Sequence, residues 1–148
     1  MRILGIDFGE RRIGLALSDP TGTIASPLPT LARRAGKRPP IKALAEIVAE
    51  NDVEAIVMGL PLSLAGDETE WCGEIRRVGA LLEDRTGLSV HYVDERMTSV
   101  QAERAVRSLG LPKKERERKE RIDAVAAMLI LQRWLDASGD SIEENPTP

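Results

Sequence analysis

Three acidic positions in this 148-residue chain fall where an acid is costly. Asp7 lies inside the apolar run Ile3-Leu4-Gly5-Ile6-Asp7-Phe8-Gly9, Asp94 and Glu95 close the run Leu88 to Val93, and Asp123 opens an apolar stretch reaching Leu131. A carboxylate in packed surroundings must be paired, hydrogen-bonded or metal-bound. Each acid has a plain explanation by itself. Asp7 could bond the turn that follows it, Asp94-Glu95-Arg96 could be a surface ion pair, and Asp123 could complement a helix dipole. Together they suggest a cluster, and clustered carboxylates repel unless a cation sits among them. His91 is the single histidine and Cys72 the single cysteine, so a metal site would have to use oxygen ligands, which suits Mg²⁺, Mn²⁺ or Ca²⁺. Two such ions roughly 4 Å apart activate a water and stabilise the leaving oxygen of a phosphodiester.

The same scarcity rules out an intrachain disulfide and weakens any Ser-His-Asp reading. Hydrophobic residues make up 42% and charged residues 30% of the chain, the balance of a globular domain. No apolar run reaches the roughly 20 residues of a membrane helix, and Met1 leads straight into a strand pattern. The expectation is a cytoplasmic protein without a signal peptide or membrane partner. The net charge of −3 does not announce a nucleic-acid binder. Charge is uneven, however. Arg33 to Arg38 is basic and Lys113 to Arg121 is dense in both signs, and such patches serve a polyanion locally even when the total charge does not.

The elements that must position the acids read as follows. Arg2 to Phe8 and Ile13 to Ser18 form a hairpin about Gly9 to Arg12. Thr23 to Leu31 follows as an edge strand, since Pro27 and Pro29 cannot donate to a ladder. On the first strand Leu4, Ile6 and Phe8 share one face and Ile3, Gly5, Asp7 and Gly9 the other. The two glycines beside Asp7 leave room for something to approach the backbone. A helix begins after Pro39-Pro40, with Ile41, Leu44, Ala45 and Val48 as its stripe. Val53 to Gly59 reads as a strand buried on both faces, followed by an apolar loop to Gly66. Asp67 and Glu70 suggest the cap of a second helix with stripe Trp71, Ile75, Val78 and Leu82. Leu88 to Val93 is a fifth strand. Thr98 to Gln101 caps a third helix with stripe Ala102, Ala105, Val106 and Leu109, stopped by Gly110-Leu111-Pro112. Lys113 to Arg121 is a loop or an exposed helical turn. The last helix spans Ile122 to Leu135, with Asp123, Ala127, Ile130 and Trp134 on one face. The expected domain is 1–137, and 138–148 reads as a disordered acidic tail. An antiparallel meander followed by βαβ crossovers predicts an α/β fold, a mixed five-stranded sheet with helices on both faces in the ribonuclease-H-like arrangement.

At this level the chain resembles the YqgF family of Holliday-junction-resolvase-like proteins, regarded as pre-16S ribosomal RNA nucleases. The resemblance rests on Ile3-Leu4-Gly5-Ile6-Asp7-Phe8-Gly9, Arg12-Ile13-Gly14-Leu15-Ala16-Leu17-Ser18-Asp19, Val57-Met58-Gly59-Leu60-Pro61-Leu62, Asp94-Glu95-Arg96-Met97-Thr98-Ser99 and Ile122-Asp123-Ala124-Val125-Ala126-Ala127. It implies a ribonuclease-H-like fold and a divalent metal, Mg²⁺ or Mn²⁺. It also implies maturation of the 5′ end of 16S ribosomal RNA in the cytoplasm, with the precursor as partner, on the ribosome or free. Carried across, the catalytic and metal-holding acids are Asp7, Glu95 and Asp123. Asp94 points to the opposite face of an ideal strand, so Glu95 is chosen over it. The chain departs from the family in Ala124, where a Lys often stands, and in Ser99, where a second Thr often stands. Arg11, Arg12, Arg96, Lys113 and Lys114 are candidates for gripping the nucleic-acid backbone.

Three rival readings share these residues. A resolvase of DNA junctions would use the same fold and need a dimer. A sugar-kinase-like or actin-like ATP binder also carries an Asp-x-Gly after an apolar strand, but pairs two such domains. A non-catalytic RNA- or ribosome-binding module would keep the acids without using them.

Overall fold

The computed structural model describes residues 1–33, 38–95, 98–108 and 115–140. Its sheet is built from β1 (Arg2–Phe8), β2 (Arg12–Ser18), β3 (Ala25–Ala32), β4 (Val53–Leu60) and β5 (Val90–Asp94), in the order β3-β2-β1-β4-β5. β1, β2 and β3 form an antiparallel meander, while β4 and β5 run parallel to β1. The mixed five-stranded sheet is the predicted one. β3 lies at the edge, as its prolines require.

Period-two alternation divides the sheet into two faces. Leu4, Ile6 and Phe8 of β1 join Ile13, Leu15, Ile56 and Met58 in the larger core. That core is covered by α1 (Ile41–Glu50), through Leu44 and Val48, and by α2 (Glu70–Thr86), through Cys72, Ile75, Val78 and Leu82. Ile3, Ala16, Ala55 and Val57 face the other way, against Ala127, Ile130, Leu131 and Leu135 of α4 (Glu115–Asp140). α3 (Thr98–Ser108) packs on α4. Helices thus cover both faces, and burial of the apolar side chains, at about 1.5–3 kcal/mol for each large one, holds the layers together.

Glycines let α4 settle on the sheet. A Cβ at Gly5 would stand 2.7 Å from Leu131 Cβ, and one at Gly14 only 2.1 Å from the Asp123 carbonyl oxygen. The room beside Asp7 is therefore filled by the protein itself. At Gly9 the neighbour is the Arg12 carbonyl, which accepts from the Gly9 amide across the hairpin at 3.1 Å. Gln132 ties α4 to the start of the edge strand, accepting from the Ala25 amide and donating to the Thr23 carbonyl, both at 2.9 Å.

Several boundaries differ from the sequence expectation. The cap of α2 is Thr69, whose side chain accepts from the Cys72 amide. Asp67 instead closes the preceding loop with Ser63, main chain to main chain at 2.8 Å and its own amide to Ser63 Oγ at 3.1 Å. On α2 itself Cys72 is buried and Trp71 half-buried. Ala105 is exposed on α3. Arg12 belongs to β2 and not to the turn. α4 is longer than expected at both ends, taking in Glu115 to Arg121 and continuing to Asp140, past the expected boundary at 137. The proposed stop Gly110-Leu111-Pro112 and residues 141–148 of the tail lie outside the described residues.

Candidate active site

The parallel strands β1, β4 and β5 end together at one edge of the sheet, on the face covered by α4. Asp7 sits one residue before the end of β1, directly opposite Gly14 of β2. Glu95 follows β5, its amide donating to the Leu60 carbonyl at 3.0 Å, so the ladder continues one step beyond the strand. Its parity with Val93 turns its carboxyl toward α4, and Gly59 gives it space: a Cβ there would stand 2.9 Å from Glu95 Cδ. Glu95 is only 8% exposed.

Asp7 and Glu95 meet in a carboxyl–carboxyl hydrogen bond. Two carboxylates this close cannot both ionise cheaply. Burial first, and the nearby Asp123 charge second, push Asp7 up to about 6, with the Glu95 hydrogen bond pulling the other way. Burial first, then the charge of Asp7 and its hydrogen bond, push Glu95 up to about 8. Both carboxyls therefore hold on to a proton above the ordinary carboxylate range, as a pair and not singly. Asp123 projects from α4 toward the same place. Burial raises it, against the pull of Arg12, whose Nε donates to Asp123 Oδ2.

The structure thus brings together all three acids chosen from the sequence, but not equivalently. Asp7 and Glu95 form a buried pair, and Asp123 faces Asp7 while ion-paired to Arg12. Asp94 is left at the strand end, where its carbonyl accepts from Arg133 Nη1. Of the candidate backbone-gripping residues, Arg12 is engaged with Asp123 and Arg11 is exposed at the hairpin. Arg96, Lys113 and Lys114 lie outside the described residues.

Among the described residues no group of three His, Cys, Asp or Glu side chains stands ready-made to enclose a metal ion. The chemistry of the donor set nevertheless fits a hard cation. Every donor is a carboxylate oxygen, Glu95 is buried and Asp7 half-buried, their mutual hydrogen bond involves no basic group, and Gly59 keeps space beside Glu95. His91 is turned against Trp134 of α4 and Cys72 is buried under α2, so neither competes as a ligand.

What the sequence reading missed lies just across the sheet. Trp71, to which it gave no function, stacks on Phe8 with ring centroids 5.8 Å apart, and Arg33 lies over the Phe8 ring at 4.7 Å. Phe8 follows Asp7 directly, so this cluster sits on the opposite face of the same strand end. The basic run that begins at Arg33 was its only signal.

Two solved structures share this architecture. One, titled "T. thermophilus RuvC in complex with Holliday junction substrate", superposes with a TM-score of 0.56 at 20% identity, covering 94% of this chain and 96% of that one. Another, a fowlpox virus resolvase with Holliday junction DNA, gives 0.57 at 8% identity over 93% and 98%. The fold defines the class: a ribonuclease-H-like domain with acids gathered at the ends of its parallel strands.

The family follows from the sequence comparisons. The model of the RuvX family, described as "Holliday junction resolvase", matches residues 1–137, and the chain belongs to that family. A Koribacter versatilis protein is 44% identical over 143 residues, covering 97% of this chain and 92% of its own length. One from Chloroflexus aggregans is 45% identical over 138 residues, covering 91% and 93%. One from Maridesulfovibrio salexigens is 42% identical over 135, covering 91% and 98%. All three are named "Putative pre-16S rRNA nuclease". Membership of a nuclease family makes the chain a hydrolase of phosphodiester bonds.

Proposed function

We propose that this protein hydrolyses phosphodiester bonds of precursor 16S ribosomal RNA in the cytoplasm, with Mg²⁺ or Mn²⁺, in maturation of the 5′ end. The observation that carries the reading is the Asp7–Glu95 pair, two carboxyls in hydrogen-bond contact, one half-buried and one buried, where a third, Asp123, faces them. Such a pair destabilises the protein at neutral pH unless a cation replaces the proton. The choice of RNA over DNA follows the names of the relatives.

Asp7 and Glu95 would hold the ion, with Asp123 as a third ligand. When bound, the ion acts as a Lewis acid on a phosphoryl oxygen and lowers the pKa of water. Asp7 and Glu95 contribute by giving up the proton they hold as a pair. Gly59 and the α4 packing fix the Glu95 carboxyl, and fixed ligands spare reorganisation during the reaction. Arg12 holds Asp123 in place from the side. Arg11, exposed on the hairpin, contacts substrate phosphates without reading sequence.

The test compares a 5′-extended 16S precursor fragment with a four-way DNA junction, each with and without Mg²⁺ or Mn²⁺. Cleavage of the RNA that needs metal and disappears in Asp7→Asn is the expected result. Cleavage of the junction alone would move the protein to DNA resolution, the activity named in its family's description. Cleavage by neither, with RNA binding unchanged in Asp7→Asn, would make it a binding module.

A further inference from the structure

Across the sheet from the three acids lies a cavity of about 430 Å³ whose walls include Arg33, Arg38, Arg77, Trp71, Glu10 and Glu74. Separate parts of the chain build it: Glu10 of the β1–β2 hairpin, Arg33 just after β3, Arg38 and Pro39 just before α1, and the first turns of α2. It lies outside the acid cluster, because Asp7 and Phe8 point to opposite faces of β1.

Its floor is rigid. The Trp71 indole donates to the Phe8 carbonyl at 3.2 Å, and the Phe8 ring contacts both Trp71 and the Arg33 guanidinium. Arg33 also donates to the Gly9 carbonyl through Nη1 at 3.3 Å, and its amide donates to the Arg11 carbonyl at 2.8 Å. In a chain with only four aromatic residues besides histidine, two are spent here. Three arginines face two glutamates, and Glu74 is neutralised by Arg77, with Nη2 and Oε2 2.6 Å apart. The remaining positive charge matches one phosphodiester. A planar indole on the wall beside guanidinium groups is the combination that holds a nucleotide, the ring taking the base and the arginine the phosphate.

We propose that this cavity binds one nucleotide of single-stranded RNA, next to the strand segment lying over Asp7 and Glu95. This rests on the nuclease reading for the choice of polymer. The strand crosses the hairpin edge of the sheet, with the acids on one side and the Trp71 cavity on the other. The cavity would set the register of the scissile bond.

The test uses the full chain with a single-stranded RNA hexamer and EDTA, so that binding is read without cleavage. In Trp134→Phe, Trp71 is the remaining tryptophan, and the hexamer should quench its fluorescence. Arg38→Ala and Arg77→Ala, both at exposed positions, should each weaken binding severalfold. Arg38→Ala should also lower the slope of log affinity against log salt by about 0.7, the share of one phosphate contact. A circular dichroism spectrum and melting curve like those of the parent show that the variants fold. No quenching, or affinity and slope unchanged in Arg38→Ala/Arg77→Ala, overturns the proposal, as does equal binding of inorganic phosphate and hexamer. The two readings fail separately. Metal-dependent cleavage that survives in the double variant at saturating RNA with its cut site unmoved removes the register role and leaves the nuclease. Quenching by RNA in a protein that never cleaves keeps the cavity and removes the nuclease.

Discussion

Arg12 and Asp123 stand 111 residues apart in sequence and form one ion pair, Nε to Oδ2, at the rim of the acid cluster. The pair joins the start of β2 to α4, where the absent side chain of Gly14 lets the Asp123 backbone touch the strand. Arg12 thus acts as a built-in counter-ion for the acid nearest solvent. Its side chain is 34% exposed and that of Asp123 20%, so solvent screens the pair only in part. Arg12→Gln should cost about 1–2 kcal/mol at pH 8, most of it from an acid left unpaired. The cost should shrink on acidification, as Asp123 takes up a proton, and shrink again when Mg²⁺ is added. Denaturant titrations at pH 5 and 8, with and without the ion, measure it; a cost independent of both would show the pair to be mere surface decoration.

The Asp7–Glu95 pair makes a signed statement about pH. Both acids hold their proton more tightly in the folded chain, Glu95 moving from an ordinary 4.5 to about 8. Between those values the native state binds more protons than the unfolded state, so stability falls as pH rises. The metal-free protein should lose a few kcal/mol between about pH 4.5 and 8 on this account. Glu95→Gln should flatten that fall and be more stable than the parent at pH 8. Divalent ions should bind more tightly as pH rises, since binding displaces the proton. Thermal melts across this range, with and without Mn²⁺, test both signs.

Two glycines separate packing from chemistry. An alanine Cβ at Gly14 would meet the Asp123 carbonyl at 2.1 Å, a backbone atom that only a shift of α4 can relieve. Gly14→Ala should therefore lose both stability, by about 1–3 kcal/mol or more, and cleavage. At Gly59 the obstacles are side-chain ends, Ile130 Cδ1 at 2.6 Å and Glu95 Cδ at 2.9 Å, which can swing away. Gly59→Ala should keep more of its stability and yet lose cleavage, because the group that yields is Glu95. Melting temperature set against single-turnover rate distinguishes the two; equal losses in both variants would contradict the distinction.

These glycines also show where sequence reading reached its limit. The order of strands and helices was legible because alternation, helical spacing and turn residues are local patterns. Pro27 and Pro29 placed β3 at the edge by removing donors. Strand parity likewise favoured Glu95 over Asp94. What Gly5, Gly14 and Gly59 face depends on residues far downstream, chiefly of α4, so the space beside Asp7 looked open when Leu131 fills it. The α2 cap was misplaced because Asp67 and Thr69 are both good caps. Only the bond between Asp67 and Ser63 decides between them. The Arg12–Asp123 pair and the Trp71 cavity were equally invisible, since each joins segments remote in the chain.

The sharpest division concerns two adjacent acids. Asp94 ends β5 with its carbonyl taken by Arg133, while Glu95 turns under α4 into hydrogen-bond contact with Asp7. One residue of strand parity makes the difference. Glu95→Gln keeps the volume and hydrogen-bonding reach but removes the charge a cation needs, so metal-dependent cleavage should fall by about 100-fold or more. That exceeds what loss of a group merely supporting a ligand costs. Asp94→Asn, which removes only the smallest of the repulsions that raise Glu95, should stay within about threefold of the parent on the same scale. Glu95→Gln should also weaken Mn²⁺ binding measured by calorimetry, and Asp94→Asn should not. The reverse pattern would place the second metal-holding acid at Asp94 and dissolve the buried pair as the centre of the site.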